Sequence, residues 1–168
     1  MDAMYVNTTE AARRITIPAL DAVLLGPASA CGGSLTVMHQ VLPPGASTPA
    51  HRHRDEDQIS IMIDGTLGFW VEGEEELELG AGGFIFRPRG RLHALWNASD
   101  EPATMLEITT PAESFERWML ALSDLNEAGG ASADEVRALA ATFGISFAGP
   151  GDPPDPSRNR TPGQRDAF

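Results

Sequence analysis

Between residues 35 and 109 glycine and proline cut the chain into short apolar runs, and no 3.6-residue period survives there. That texture constrains the fold more than any other feature, because it permits strands and excludes long helices. Runs of strand-forming residues predict strands over 35–42, 58–63, 66–72, 75–79, 84–86, 93–96 and 103–109. Asp64-Gly65 sits between two such runs and reads as a two-residue hairpin turn, and Glu72-Gly73 marks another turn. Many short strands at regular spacing predict an all-β sandwich or barrel.

The flanks differ. Residues 1–34 hold short extended pieces, Ile15-Thr16-Ile17 and Val23-Leu24-Leu25, between proline and glycine breaks. After the barrel, Thr110, Pro111 and Glu113 fall at the N-cap, N1 and N3 positions of a capping box. Phe115, Trp118, Met119, Leu122 and Leu125 then follow at helical spacing, and Gly129-Gly130 ends that helix. Ser132 to Glu135 opens a second helix, which Gly144 stops. The reading is therefore N-terminal strands over 1–34, a core over 35–110, helices over 111–147 and an extended or flexible tail over 148–168. That tail holds five of the 13 prolines.

Charge narrows the partners. The formal net charge is -12 with no basic stretch, so a phosphate backbone would repel this surface and nucleic acid is excluded as a partner. The run Glu72 to Glu78 reads as a solvated turn and edge strand. The single cysteine, Cys31, can form no internal disulfide, which fits a reducing cytoplasm. No apolar stretch reaches the roughly 18 residues that span a bilayer, and no secretion signal is visible.

The chemistry-bearing feature is His51-Arg52-His53. On extended chain, residues i and i+2 point to the same side, so both imidazoles face one point. Neutral imidazole binds several divalent transition metals. A third imidazole must come from a distant strand, and His93 is the candidate; His39 reads as an ordinary strand histidine. An isolated HxH arises by chance on many surfaces, but this one has a context. Five residues separate Gly45 from His51, four separate His53 from Gln58, and six separate Gln58 from Gly65. Gly82 is followed after five residues by Pro88, then Gly90, His93 and Asn97.

These spacings resemble the two sequence motifs of the cupin superfamily, G-x5-HxH-x4-E-x6-G and G-x5-PxG-x2-H-x3-N. Every fixed position agrees except Gln58, which stands where the family has glutamate. Within cupins, the stretches 51–58 and 84–90 and the segment after Thr110-Pro111 resemble small single-domain proteins similar to quercetin 2,3-dioxygenase. The resemblance implies a double-stranded β-helix, the cupin jelly-roll barrel, with C-terminal helices. It implies one divalent transition metal (Fe, Ni, Mn, Co, Cu or Zn) held by His51, His53, Gln58 and His93, with Gln58 and His53 as the catalytic positions. It also implies a homodimer.

Glutamine changes what the site can do. It adds no negative charge and cannot take a proton from a substrate, although its amide can coordinate weakly or orient a ligand. An anionic or chelating small molecule is then drawn to the uncancelled charge. The leading expectation is a metal-dependent dioxygenase acting on an enol, diketone or phenol. The alternatives are a non-oxidative cyclase, isomerase or lyase using the metal as a Lewis acid, and a non-catalytic binding barrel. Glu56 and Asp57 are possible substitutes as base or ligand, with Asp57 facing away. Arg52, Arg54, Arg87, Arg89 and Arg91 read as surface ion-pair partners, one of which could meet an anionic substrate. Trp70, Trp96, Phe69, Phe84, Phe86, Met38 and Met62 are candidates to line an apolar cavity. Ser60 and Met62 should face the same way as Gln58, and Asn97 should tie down a turn.

Overall fold

The computed structural model describes residues 4–159 and 165–166. Twelve strands and two helices follow one another: β1 (Arg13–Ile17), β2 (Leu20–Gly26), β3 (Thr36–Leu42), β4 (Ala46–His53), β5 (Asp57–Asp64), β6 (Thr66–Val71), β7 (Leu77–Gly80), β8 (Phe84–Arg87), β9 (His93–Trp96), β10 (Ala103–Thr110), α1 (Ser114–Glu127), α2 (Ala133–Thr142), β11 (Ile145–Phe147) and β12 (Arg165–Asp166). One sheet has the order β1-β2-β3-β10-β5-β8 and the other β11-β4-β9-β6-β7, with β12 beside β4. From β3 to β6, and again from β7 to β10, the chain changes sheet at every connection. That winding is the double-stranded β-helix.

The strands expected from residue 35 onward are all present, within a residue or two at their ends. One more, β4, is absent from the predicted strands and carries the extended His51-Arg52-His53 segment. Asp64-Gly65 is a correction: no hairpin forms there, because β5 pairs with β10 and β8 while β6 pairs with β7 and β9. The turn carries the chain from one sheet to the other. Gly65 has φ 70°, and a Cβ there would lie 2.8 Å from the Pro102 carbonyl oxygen and from Ala103 Cα, so only glycine fits this crossing.

A second correction concerns the entry to α1. Thr110 is no cap; it ends β10, paired with Asp57, and its hydroxyl donates to the Ser34 carbonyl (2.9 Å). The helix starts at Ser114 after Glu113 at φ 88°. Its apolar stripe is as expected: Phe115, Trp118, Met119 and Leu122 are buried against the barrel. Ser123 Oγ accepts from the Thr16 amide at 3.0 Å and ties the helix to β1. The second helix does carry its capping box, Ser132 with Glu135.

Alternation in the first sheet runs against ordinary expectation. On β10, Met105, Glu107 and Thr109 face inward while Leu106 and Ile108 face out. On β5, Gln58, Ser60 and Met62 are buried, and Ile59, Ile61 and Ile63 lie on the other face. Cross-strand register then lines up Val37, Ile108, Ile59 and Phe86 in one outward row, and His39, Leu106, Ile61 and Phe84 in the next. Phe84 and Phe86 are 60% and 49% exposed; Phe86 borders a depression of about 730 Å³ together with Phe69 and Trp70, but neither phenylalanine lines the chamber around His51 and Gln58. Trp70 and Trp96 do not line it either. They pack with Ala50, Leu92 and Ala94 in a cluster separate from the main core, on the outer face of the second sheet. Met38, Met62 and Phe69 belong to the main core.

The segment after β11 lies along β4: Ala148 N–H donates to the Ala50 carbonyl, and Ala50 N–H to Asp155 Oδ2, both at 2.8 Å. Asn97 Nδ2 donates to the carbonyls of Leu42 and Glu101 and ties down its turn as expected. Among the described residues no helix is long and apolar enough to cross a membrane.

Candidate metal centre

His51 and His53 project from β4, and His93 opens β9. Register makes His51 and His93 direct antiparallel partners, next to an irregularity between Thr48 and His51. Such a bulge re-aims side chains. The ring centroids are 4.5 Å apart for His51 and His93, 5.2 Å for His51 and His53, and 5.5 Å for His53 and His93. One ligand nitrogen from each ring lies within 4.8 Å of the others, so the three could hold one metal ion. His39 faces outward on β3, away from them.

Each Nδ1 is occupied by an acceptor. His51 Nδ1–H donates to the Pro49 carbonyl (2.7 Å) and His93 Nδ1–H to the Arg91 carbonyl (3.2 Å). His53 Nδ1–H donates to Glu56 Oε2 at 3.0 Å. These contacts fix the tautomer and leave Nε2 as the coordinating atom. Burial is the main cause holding His51 and His53 down to about 3, and it holds His93 well below 6.5; the Arg87 charge acts in the same direction on all three. At neutral pH the rings are therefore neutral and able to act as ligands.

The donor set passes a chemical test for a cation. Among the described residues, the buried side-chain polar atoms without a partner are His53 Nε2, His93 Nε2, Gln58 Oε1, Arg87 Nε and Thr109 Oγ1. Buried polar atoms without partners are rare in folded proteins. Here two imidazole lone pairs and one amide oxygen are left over, a set that suits a divalent ion. Gln58 reaches this region from β5 on the opposite sheet, and Ser60 and Met62 face inward with it, as expected.

Two of the acidic residues near the motif take other roles. Glu56 is neither a ligand nor a free base. Its Oε1 accepts from the Phe115 amide at 2.6 Å while Oε2 holds His53. Burial pushes its carboxyl up to about 7, and the Phe115 N–H pulls it back. Asp57 faces away and is held by Arg89 (2.7 Å).

Arg87 is the largest departure from expectation. Arg52, Arg54, Arg89 and Arg91 pair at or near the surface with Asp152, Asp55, Asp57 and Glu74. Arg87 instead is 2% exposed inside the barrel, its Nη2 donating to both Glu107 oxygens at 2.6 Å and to Ser60 Oγ at 2.7 Å. Ser60 Oγ–H donates to Glu107 Oε2 at 2.7 Å. Burial raises the Glu107 carboxyl above its ordinary value, while Arg87 and Ser60 oppose that shift. Glu107 gave no motif signal, since a carboxylate alternating with Leu106 and Ile108 reads as the outward residue.

The chamber between the sheets is lined by His51, Gln58, Arg87, Glu107, Phe115 and Met119 among others, and holds about 30 Å³. That is room for about two waters. Larger depressions of about 730 and 500 Å³ lie elsewhere, the first bordered by residues of β6, β7 and β8, and neither is lined by His51, His53 or His93. Chemistry assigns the site to the small one.

A jelly-roll barrel with imidazoles converging from β4 and β9 defines the cupin class. Residues 38–109 match the Cupin domain family, so that segment of the chain is a cupin domain. It is 28% identical over 79 residues to germin-like protein 9-2 of Oryza sativa subsp. japonica, a match covering 45% of this chain and 37% of that protein. KdgF from Halomonas sp. superposes with TM-score 0.59 at 16% identity, covering 67% of this chain and 99% of that one. An RmlC-like cupin from Shewanella frigidimarina gives TM-score 0.57 at 22% identity, with 67% and 96% covered. These two likenesses establish the fold.

Proposed function

We propose that this chain is a metal-dependent cupin enzyme, a dioxygenase that cleaves a small chelating enol, diketone or phenol. The observation that carries the reading is the set of unpartnered buried acceptors, His53 Nε2, His93 Nε2 and Gln58 Oε1, beside His51. A divalent metal supplies Lewis acidity there and, if redox-active, the means to activate O2. The chain's part is to hold three neutral imidazoles and a neutral amide, which leave the ion's charge uncancelled for an anionic ligand. Gln58 serves as the weaker fourth ligand and orients the substrate through its amide.

Among the described residues, the carboxylates nearest the imidazoles already have partners. Glu56 is engaged by His53 and the Phe115 amide, and Glu107 by Arg87 and Ser60. A substrate acidic enough to arrive as an enolate suits such a site. Oxygen uptake by Fe(II)-, Ni(II)- or Mn(II)-loaded protein with small 1,3-diketones tests the reading. No uptake with any of the three metals overturns it.

A second reading is a non-oxidative cyclase, isomerase or lyase. It is favoured by Glu107, a carboxylate that lines the chamber and is raised above its ordinary value by burial. Oxygen-independent turnover by the zinc form selects it.

The outward rows of the first sheet support pairing of two copies. Four strands about 4.8 Å apart present an apolar face on the order of several hundred Å², the scale of a dimer interface. A sheet face can meet its own copy across a two-fold axis. Light scattering should give twice the chain mass, and Ile61→Lys with Phe86→Lys should give monomers. A wild-type monomer at high concentration overturns the pairing.

A further inference from the structure

Gln58 on β5 is the cross-strand partner of Arg87 on β8 to one side and of Thr109 on β10 to the other. Each of the three carries a buried side-chain atom without a partner: Oε1, Nε and Oγ1 in that order. The metal accounts for the acceptors in the chamber. It does not account for Arg87 Nε–H, a donor on a cationic group in the same wall. Glu107 and Ser60 take up Nη2 alone. A buried guanidinium donor left unsatisfied carries a large desolvation cost, and what satisfies it must be an acceptor, best an anionic one.

We propose that Arg87 Nε–H forms an anion subsite, which takes one oxygen of a small carboxylate or enolate while the ligand's other oxygen faces the three imidazoles. This rests on the metal reading above and adds the recognition element to it. The ligand is a short oxyanion, because it must reach between His51 and Arg87, which line one chamber. Glu107 has a definite part: its carboxylate holds the guanidinium in place through Nη2 and leaves Nε–H for the ligand. Arg87 is thus a specificity-determining residue, able to tell a carboxylate from the neutral amide of the same shape.

The test is a titration of Co(II)-loaded protein with acetate, read from the visible cobalt spectrum, with acetamide as the neutral control. Arg87→Met alone strands a buried Glu107 charge. The variants are therefore Arg87→Met/Glu107→Gln, which strands none, and Arg87→Lys, which keeps the ion pair but has no Nε–H. Acetate should bind the wild type and acetamide should not. Both variants should take up Co(II) within about threefold of wild type and bind acetate at least about tenfold more weakly, the loss of one charge-assisted hydrogen bond. Equal acetate affinity in wild type and variants, with cobalt bound in all, overturns the subsite and leaves the metal centre standing. Equal affinity for acetate and acetamide overturns it too. Failure of the wild type to bind cobalt overturns the metal reading, and the subsite with it.

Discussion

Glu56 Oε2 lies 3.0 Å from His53 Nδ1, and the other oxygen of the same carboxylate accepts from the first turn of α1. One side chain thus orients a ligand ring and caps the helix whose Phe115 and Met119 close the chamber. Outer-sphere partners of this kind typically affect metal affinity by about 10–100-fold, and a helix cap contributes about 1 kcal/mol. Glu56→Gln should weaken Co(II) binding about tenfold and lower the melting point of the metal-free protein. Competition titration and thermal melts in chelator measure the two effects separately. Unchanged affinity would show that His53 keeps its orientation without the carboxylate.

His53→Ala should abolish metal binding, because it removes one of three imidazoles. Gln58→Ala should weaken binding only in part, since an amide oxygen is the poorest ligand of the set. Elemental analysis after purification and dialysis distinguishes them. Equal loss in both variants would make the amide a stronger ligand than its chemistry suggests.

Acid should destabilise the metal-free protein. An unfolded imidazole takes up a proton near pH 6.5, whereas folded His51 and His53 do so only at about 3 and His93 well below its usual value. Between those limits the unfolded state binds more protons, so stability falls as pH drops from about 6.5 towards 3. Glu56 and Glu107 act the other way. Their raised values favour the folded state at low pH, and the Glu56 contribution fades as pH rises through about 7. Three groups oppose two, so the melting point in chelator should drop from pH 7 to pH 4.5. His51→Gln/His93→Gln should flatten that drop, and an equally steep drop in the double variant would assign it elsewhere.

Gly68→Ala should destabilise the barrel without touching the site. A Cβ at Gly68 would sit 2.2 Å from the Trp96 indole, and overpacking of this sort costs about 1–3 kcal/mol. Metal affinity should stay at the wild-type value in a protein that unfolds at lower urea. A wild-type urea midpoint would mean that Trp96 shifts freely.

Arg87→Met alone should be more damaging than Arg87→Met/Glu107→Gln. Breaking a buried ion pair from one side costs about 3–5 kcal/mol because a charge is left behind, whereas removing both charges costs far less. Urea melts of the two variants decide it, and equal midpoints would show that Glu107 is neutral in the folded protein.

Much of the barrel was legible because glycine and proline mark strand ends, and the three imidazoles because their spacing is local to each motif. What escaped was set by tertiary register. The cap of α1 comes from Glu56, 59 residues before Phe115, so the nearer Thr110 looked better placed. Arg87 and Glu107 lie on strands where Phe84, Phe86, Leu106 and Ile108 face out, and alternation alone could not say which half was inside. Trp70 and Trp96 failed for the same reason: their parity depends on which face of the second sheet meets the core.

The inverted alternation has a consequence for the chain in dilution. By reserving Gln58, Ser60, Arg87, Glu107 and Thr109 for its interior, the first sheet turns isoleucine, leucine and phenylalanine toward water. The polarity gathered in the chamber is thus bound to a water-averse back, and on the pairing proposed above its relief by a second chain should make thermal resistance grow with protein concentration.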